Sequence, residues 1–503
     1  MIKKILIANR GEIAVRIMRT CREMDIKSVA VFSNADRKSL HVRYAGEAYY
    51  IGNSPSNESY LVMDKIIEAA VKSGSDAIHP GYGFLSEKAE FAKKVRQAGI
   101  TFIGPSSHAI SIMGDKIVAR QTALNCGLPV VPGTTSPVNN ETEVKNIANK
   151  IGYPIIIKAS AGGGGKGMRL IRKENELPEA LRLAKSEAMA AFGDDSVYIE
   201  KYIESPHHIE FQLLADQHGN IIHLCERECS IQRRHQKVVE ESPSPIINSN
   251  TREKMGQAAI ALAKSVDYEG AGTVEFLIDN ENNYYFLEMN TRLQVEHPIT
   301  ERVIGLDLVK EQIKIASGQV MGYKQKDITQ SGHSIECRIY AEDPDNDFMP
   351  DSGIIKHITE PLGFGIRTDG YVYEGYEIPI YYDPMISKLI VWGRTRIDAI
   401  NRMKRALYEY KITGVKTTIP FLERIMNETD FVKGTYDTHF ISKNIKTLLP
   451  KDTKRNVVTQ DIATITAFFH YYKRLERIKK ISIVEKSHDY WRNYGRRKNS
   501  IRI

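Results

Sequence analysis

Residues 5–8, Ile-Leu-Ile-Ala, form an unbroken apolar run, the pattern of a strand buried on both faces. Asn9-Arg10-Gly11 turn the chain, and Ile13, Ala14, Ile17, Met18 and Cys21 then recur at helical spacing. Strand-like runs follow at 28–32 and 76–79, then a helical pattern over 87–97 and a further strand at 101–103. This alternation confines the chain to a parallel sheet with helices on its faces, because parallel neighbours need a crossover. Residues 1–115 therefore read as an α/β, Rossmann-like domain.

The 503 residues leave room for about three domains at roughly 150 residues each. With 42% hydrophobic and 26% charged residues, the chain can bury a sizeable core, which excludes disorder and a mini-protein. Its five cysteines are few and odd in number, so free thiols in a reducing compartment are expected. Cys225 and Cys229, with His223 and His235 nearby, fit no standard zinc spacing. No apolar run approaches the ~20 residues of a membrane span. The N-terminus has no small-residue cleavage site and reads as a first strand, so a cytoplasmic protein is expected.

Beyond residue 115, Pro-containing segments at 128–132 and 240–245 bracket a compact α+β region. Strands are expected at 154–159, 168–171 and 197–203, with a helix near 177–191. Residues 250–330 read as helix, hairpin and helix, and 331–447 as mixed strands and helices.

Between the first two of those strands lies Ala161-Gly162-Gly163-Gly164-Gly165-Lys166-Gly167. Glycines let backbone N–H groups approach an anion, and Lys166 adds charge. The loop leads into a strand, unlike a dinucleotide fingerprint, and no Ser or Thr follows Lys166, unlike a P-loop. A phosphate-covering hairpin fits it.

Residues 273–279 and 284–290 are strand-like. If 280–283 form the loop, Asp279 pairs with Tyr284 and Glu275 falls opposite Glu288, with Asn290 on the same face as Glu288. Opposed like charges repel, and a divalent cation removes the penalty; two carboxylates and an amide suit hard Mg²⁺. Immediately downstream, an extended chain would project Arg292, Gln294 and Glu296 to one side, where they could hold a small oxyanion and take its proton. A second cluster, 230–237, includes Gln232, Arg233, Arg234, His235 and Lys237. It lacks the interleaved aromatics of a nucleic-acid patch and fits a phosphate-facing loop better.

Over residues 1–447 these pieces resemble the biotin carboxylase family of ATP-grasp enzymes. The resemblance is carried by Ala8-Asn9-Arg10-Gly11-Glu12, the segment His79-Pro80-Gly81-Tyr82-Gly83-Phe84-Leu85-Ser86-Glu87, Met113-Gly114-Asp115-Lys116, the glycine run, the 233–239 cluster, residues 288–298 and Glu336-Cys337-Arg338. It implies an N-terminal domain over 1–115, an ATP-grasp domain over 116–330 with a lid at about 131–203, a mixed C-terminal domain over 331–447 and a basic tail over 448–503. It also implies that Lys116 and Lys158 hold ATP phosphates under Gly164 and Gly165, and that Glu200, Lys201, Tyr202 and Ile203 meet adenine. His208, Gln232 and His235 would complete the nucleotide pocket. Glu275, Glu288 and Asn290 would carry Mg²⁺ or Mn²⁺, as two ions. Lys237, Arg292, Gln294 and the Val295 backbone would bind bicarbonate, Glu296 would be its base, and Arg338 would steady the biotin ureido oxygen. The implied chemistry runs through carboxyphosphate.

The resemblance further implies a homodimer, with Arg19, Glu23, Phe364 and Arg367 at dimer-facing positions; an intrahelical Arg19–Glu23 pair is equally compatible. Biotin carriers show Met-Lys-Met around the modified lysine. The one Met-Lys pair here, Met403-Lys404, sits in a helix-like run, so biotin is expected on a separate carrier or carboxyltransferase subunit. Neither a nucleic acid nor a membrane is expected as partner.

The charge of +8 is unevenly placed. Residues 451–503 carry +9, and residues 1–450 carry −1. In the tail, Ile462, Ile465, Phe468, Phe469, Tyr472 and Leu475 form a helical stripe that Thr459 could cap. It could dock on its own body or on another protein of the same complex. Such a tail resembles the biotin-carboxylating component of two-component pyruvate carboxylases. A role in an acyl-CoA carboxylase is the alternative, and another ATP-grasp ligase a remote one.

Overall fold

The structure is a computed structural model that describes residues 2–134, 136–138, 140–159, 168–449, 462, 464–473 and 475–476. Two compact units divide at residue 449.

The first unit opens with a five-stranded parallel sheet. Its spatial order is Glu47–Gly52, Lys27–Ser33, Lys4–Ile7, Ala77–His79 and Thr101–Phe102. The first strand is central, and Ile5, Leu6 and Ile7 are fully buried, as their apolar run requires. The helix Gly11–Glu23 packs with Ile13, Ala14, Ile17, Met18 and Cys21 inward. Its polar Glu12 and Arg16 are buried as well. Arg16 is matched by Thr20, Glu301 and Asp307.

This strand order has its switch point beside the first strand, where ligands gather at carboxyl ends in open α/β sheets. The loops after the first and fourth strands meet there, because Asn9 Nδ2 donates to Pro80 O and Tyr82 O at 2.7 and 2.8 Å. Gly81 has φ +64°, and a Cβ on it would lie 3.0 Å from Asn9 Nδ2.

An eight-stranded antiparallel sheet supplies most of the remaining frame. Its order is Tyr284–Asn290, Gly270–Ile278, His207–Ala215, Ile221–Arg233, Gln236–Ser242, His333–Tyr340, Met385–Gly393 and Ile366–Gly370. It runs without interruption past residue 330, because Gln236–Ser242 pairs with His333–Tyr340. The helix Ser249–Ser265 covers one part, and Arg396–Glu409 another. Met403 is fully buried in the latter helix.

The 273–290 hairpin corrects one step of the sequence reading. Asp279 does not pair with Tyr284; Ile278 does, and Phe276 faces Phe286. Asp279 instead closes the loop, accepting the amides of Glu281 and Asn283. A register shift between Glu275 and Phe276 then restores the expected pair, Glu275 opposite Glu288. The inserted residue is a bulge, which realigns side chains at the cost of one ladder bond.

The region expected as a lid is a three-stranded antiparallel sheet. Ile155–Ala159 lies between Arg169–Ile171 and Val197–Lys201. The helices Glu141–Ile151 and Leu177–Phe192 complete its separate core, with Val144, Ile155, Ile157, Ala184 and Ile199 inside. Gly133 passes so close to this sheet that an added Cβ would sit 2.3 Å from Ile199 O. Gly164, Gly165 and Lys166 lie outside the described residues.

The second unit is described only as a helix around residues 464–473. Ile465, Phe468, Phe469 and Tyr472 are exposed on it, and Phe468 stacks on Tyr472. Thr459, the expected cap, lies outside the described residues. No described helix is long and apolar enough to cross a membrane.

Candidate active site

Neighbouring strands of the large sheet bring charged side chains together in its interior. Glu210 comes from His207–Ala215, Arg227 from Ile221–Arg233, Lys237 and Glu240 from Gln236–Ser242, Glu275 from Gly270–Ile278 and Arg338 from His333–Tyr340. All but Lys237, which is partly covered, are buried. Buried charges persist only when paired, and these are.

Lys237 is the hub. Its Nζ donates to Glu210 Oε2 at 2.5 Å, to Glu296 Oε1 at 2.6 Å and to Glu275 Oε1 at 3.0 Å. Burial disfavours its charge, but the three carboxylates outweigh that and hold its pKa well above the ordinary lysine value. Burial likewise pushes Glu210 up, and Arg227 and Lys237 more than reverse it, to about 2. The wholly buried Arg227 is saturated by Glu210, Gln212, Thr300 and Thr273.

Glu296 lies between two cations. Its Oε2 accepts from Arg338 Nη2 at 3.0 Å, and Arg338 also grips Glu240 Oε1 through Nε at 2.7 Å. Burial and Glu210 raise the Glu296 carboxyl; Lys237, Arg338 and Arg227 outweigh them and leave it below its ordinary value. Glu240 is pushed up to about 7, chiefly by burial, against the pull of Arg338.

The strip that carries Glu296 is not extended throughout. Residues 295–296 turn into the helix His297–Ile304, whose first turn holds Pro298. Arg292 and Gln294 do share a side: Arg292 Nη1 donates to Gln294 Oε1 at 3.1 Å. Glu296 reaches the same site through the turn rather than by strand alternation. Arg292 is further held by Glu87 at 2.9 Å and by Asn290 Oδ1 at 3.1 Å. A cavity of about 500 Å³ opens onto Arg292, Val295, Arg338, Tyr82 and Gln236.

Toward the lid, Lys158 and Arg120 both pair with Glu200. The amides of Lys201 and Tyr202 donate to Pro132 O and Pro154 O at 2.7 and 3.0 Å, and Lys201 Nζ to Tyr153 O at 2.8 Å. Ile203 follows on the same connecting segment, partly covered. His208 Nε2 lies 2.6 Å from Glu275 Oε2, and Gln232 Nε2 lies 2.7 Å from His208 Nδ1. His235 has φ +65° at the tip of the turn between two strands. Lys116 begins the helix Lys116–Asn125 and lowers the Glu288 carboxyl electrostatically. Among the described residues, Cys225, Cys229, His223 and His235 do not gather with one another into a ligand cluster; Cys229 groups instead with Glu210 and Glu296.

Residues 1–110 match the biotin carboxylase N-terminal domain, and residues 336–443 the biotin carboxylase C-terminal domain. Residues 115–324 match the ATP-binding domain of the carbamoyl-phosphate synthase L chain. The pyruvate carboxylase A subunit of Methanothermobacter thermautotrophicus is 57% identical over 443 residues, covering 88% of this chain and 90% of that protein. This chain belongs to the biotin carboxylase family. Biotin carboxylase 1 of Bacillus subtilis is 56% identical over 442 residues, or 88% of this chain and 98% of that protein. In structure, the biotin carboxylase domain dimer of Hydrogenobacter thermophilus 2-oxoglutarate carboxylase, solved with MgADP, ADP and bicarbonate, superposes with a TM-score of 0.85 at 48% identity. It covers 89% of this chain and 99% of that one. The biotin carboxylase subunit of a pyruvate carboxylase gives 0.80 at 49% identity, covering 90% and 100%.

The expected metal ligands fit a hard divalent cation. Glu275 and Glu288 face each other across the hairpin, and burial and Glu275 together push the Glu288 carboxyl above its ordinary value. Against burial, Lys237 and His208 hold the Glu275 carboxyl below its ordinary value, so it is Glu288 that lacks compensating positive charge beside Glu275. Asn290 Nδ2 donates to Glu275 Oε1 at 2.8 Å, which places the amide beside the pair.

Reading the residues did not single out Glu210, Arg227, Glu240 or Lys388 for this biotin carboxylase site. Each is a charged residue in a buried stretch of its strand. Lys388 is the single charge in its strand, whereas Arg227 stands between Glu226 and Glu228, and Glu240 beside Glu241. That pattern, a charge where period-2 burial forbids solvent, was the available signal.

Proposed function

We propose that this chain carboxylates biotin on a separate carrier protein, using ATP and bicarbonate, and that it does so as the biotin-carboxylating component of a two-component pyruvate carboxylase. The observation that carries the reading is Glu296 held between Lys237 and Arg338, with Arg338, Arg292 and the adjoining Val295 lining a cavity.

At rest Glu296 is a poor base, because two cations favour its ionised form. Bicarbonate entering beside Arg292, Gln294 and the Val295 N–H competes for Lys237. Loss of that partner raises the proton affinity of Glu296 where the bicarbonate O–H must be. Glu296 takes the proton, and the bicarbonate oxygen attacks the ATP γ-phosphate to give carboxyphosphate and ADP. Lys116 and Lys158 hold the phosphates, and residues 200–203 with His208, Gln232 and His235 frame the nucleotide. Glu275, Glu288 and Asn290 would hold Mg²⁺, which when bound would supply charge neutralisation at the phosphates. Carboxyphosphate then breaks its carboxyl C–O bond to release CO₂ and phosphate. The phosphate takes the ureido N–H proton, the ureido nitrogen attacks CO₂, and Arg338 stabilises the negative charge that develops on the ureido oxygen. Residues 131–203 act as the lid that keeps water from the labile intermediate, and the working domains are 1–115, 116–330 and 331–447.

A homodimer suits the chain's own geometry. Phe364 is exposed beside Trp392, and Arg19 approaches Asp369 at 3.7 Å. Arg367, mostly covered, is held by the buried Glu301 and Asp369. The +9 tail is the proposed contact with the biotinylated carboxyltransferase subunit.

Pyruvate as final acceptor rests on the 57% identity to a pyruvate carboxylase component. An acyl-CoA carboxylase role is supported nearly as well, by the 56% identity to a biotin carboxylase. Fixation of labelled bicarbonate by the complex purified on this chain decides between them. Label in oxaloacetate with pyruvate supports the reading; label only in a malonyl or other acyl-CoA product rejects it.

A further inference from the structure

Two buried side chains grip the backbone on either side of Val295. His297 Nδ1 lies 2.7 Å from Gln294 O, so it carries the proton and donates to that carbonyl. Lys388 Nζ donates to Val295 O at 2.9 Å. A trans peptide is rigid, and its N–H points opposite to its carbonyl. Anchoring Gln294 O therefore fixes the direction of the Val295 N–H. Anchoring Val295 O fixes the following peptide and the start of Glu296. Val295 itself lines the cavity.

Packing alone does not account for Lys388. It is wholly buried in the strand Met385–Gly393, opposite Arg338 on one side and Asp369 on the other. A buried ion pair is weak evidence for stability, since an apolar replacement of similar volume is often as good. Its side chain spans from its own strand to two pieces of the site. Glu12 Oε1 lies 3.1 Å from Nζ, and the Tyr82 hydroxyl donates to the same Glu12 oxygen. Glu12 and Tyr82 border the same cavity as Val295.

We propose that Lys388 is a positioning residue for the oxyanion site: it pins the Val295 carbonyl, with Glu12 and Tyr82 holding the ammonium in place, so that the backbone donor and the Glu296 base keep a fixed separation. His297 does the same for the preceding peptide. This rests on the reading above that the Val295 N–H contacts bicarbonate. Neither residue touches the substrate. Their effect is confined to the bicarbonate side of the site, because the nucleotide side is built from other strands and from the lid.

The test compares ADP release by the full chain and by K388M, K388R and E12Q/K388M, with separate titrations of bicarbonate and ATP. The double variant removes the carboxylate that K388M would strand, so it keeps the test open if K388M does not fold. K388M, or the double variant, raises the KM for bicarbonate about tenfold and changes that for ATP by less than about twofold. K388R, which keeps a cation and a donor, lies closer to the parent. An unchanged KM for bicarbonate, or an equal rise for both substrates, overturns the proposal. If the parent itself ignores bicarbonate, the functional reading falls and this inference with it; a bicarbonate-dependent parent with indifferent variants sinks the inference alone.

Discussion

Lys237 Nζ and Glu296 Oε1 stand 2.6 Å apart, so the proposed base is held ionised by a group proposed to bind its substrate. The pair is self-regulating in a simple sense. An anion that draws Lys237 away makes Glu296 more basic at the moment a proton is there to take.

Lys237→Gln should abolish that coupling and leave Glu210, Glu275 and Glu296 sharing a buried space without its charge. Breaking such a cluster costs about 3–5 kcal/mol, and losing the charge should cut bicarbonate-dependent ADP release about 100-fold or more. Thermal melting and steady-state kinetics measure the two losses. A variant with parental melting and parental turnover would show that Lys237 is not the hub.

Glu288→Gln removes one member of the opposed carboxylate pair. The Mg²⁺ concentration for half-maximal ADP release should rise about tenfold, with the KM for bicarbonate nearly unchanged. Equal Mg²⁺ dependence in parent and variant would place the metal elsewhere.

Arg338→Ala should impair biotin carboxylation more than nucleotide binding, because Arg338 faces Glu296 and the cavity rather than the lid. The expected signature is a loss of biotin stimulation by about 100-fold while ADP affinity stays within about threefold. Equal losses in both would contradict the assigned role.

Glu241 gives a pH dependence of stability far from the chemistry. Burial raises its carboxyl, but His333 and Arg396 outweigh that and hold it down at about 2, against an ordinary value of 4.5. An acid depressed on folding stabilises the fold above its unfolded pKa. That contribution, on the order of 3 kcal/mol, drains away as pH falls from about 4.5 to about 2. Glu241→Gln should be less stable at neutral pH and lose less over that acid window, as read by denaturant unfolding. Parallel curves for parent and variant would contradict the assignment.

The fold was legible where burial pattern and local chemistry coincide. The run at 5–8 and the helical spacing to Cys21 specified the central strand and its helix, because both bury residues their own periodicity marks. The Glu275–Glu288 juxtaposition was legible for a partly mistaken reason. A loop closed by Asp279 shifted the register by one, and a bulge shifted it back. Bulges leave no mark in a period-2 pattern, so only the endpoint could be right. The pairing of Gln236–Ser242 with His333–Tyr340 joins segments about a hundred residues apart, and nothing local announces it. Arg227, Glu240 and Lys388 were missed for the same reason. Arg338 and Val295, the partners of Glu240 and Lys388, lie 98 and 93 residues away. Arg227, set between Glu226 and Glu228, pairs with Glu210 across a strand pair that its own sequence does not pick out.

The central claim is that the Lys237–Glu296–Arg338 site makes bicarbonate a substrate for ATP cleavage on behalf of biotin. The most direct measurement is ADP release by the purified full chain, with and without bicarbonate and with and without free biotin. Turnover that requires bicarbonate and rises further with biotin is the predicted result. Turnover indifferent to bicarbonate, or biotin-independent ligation of some other acid, would contradict it.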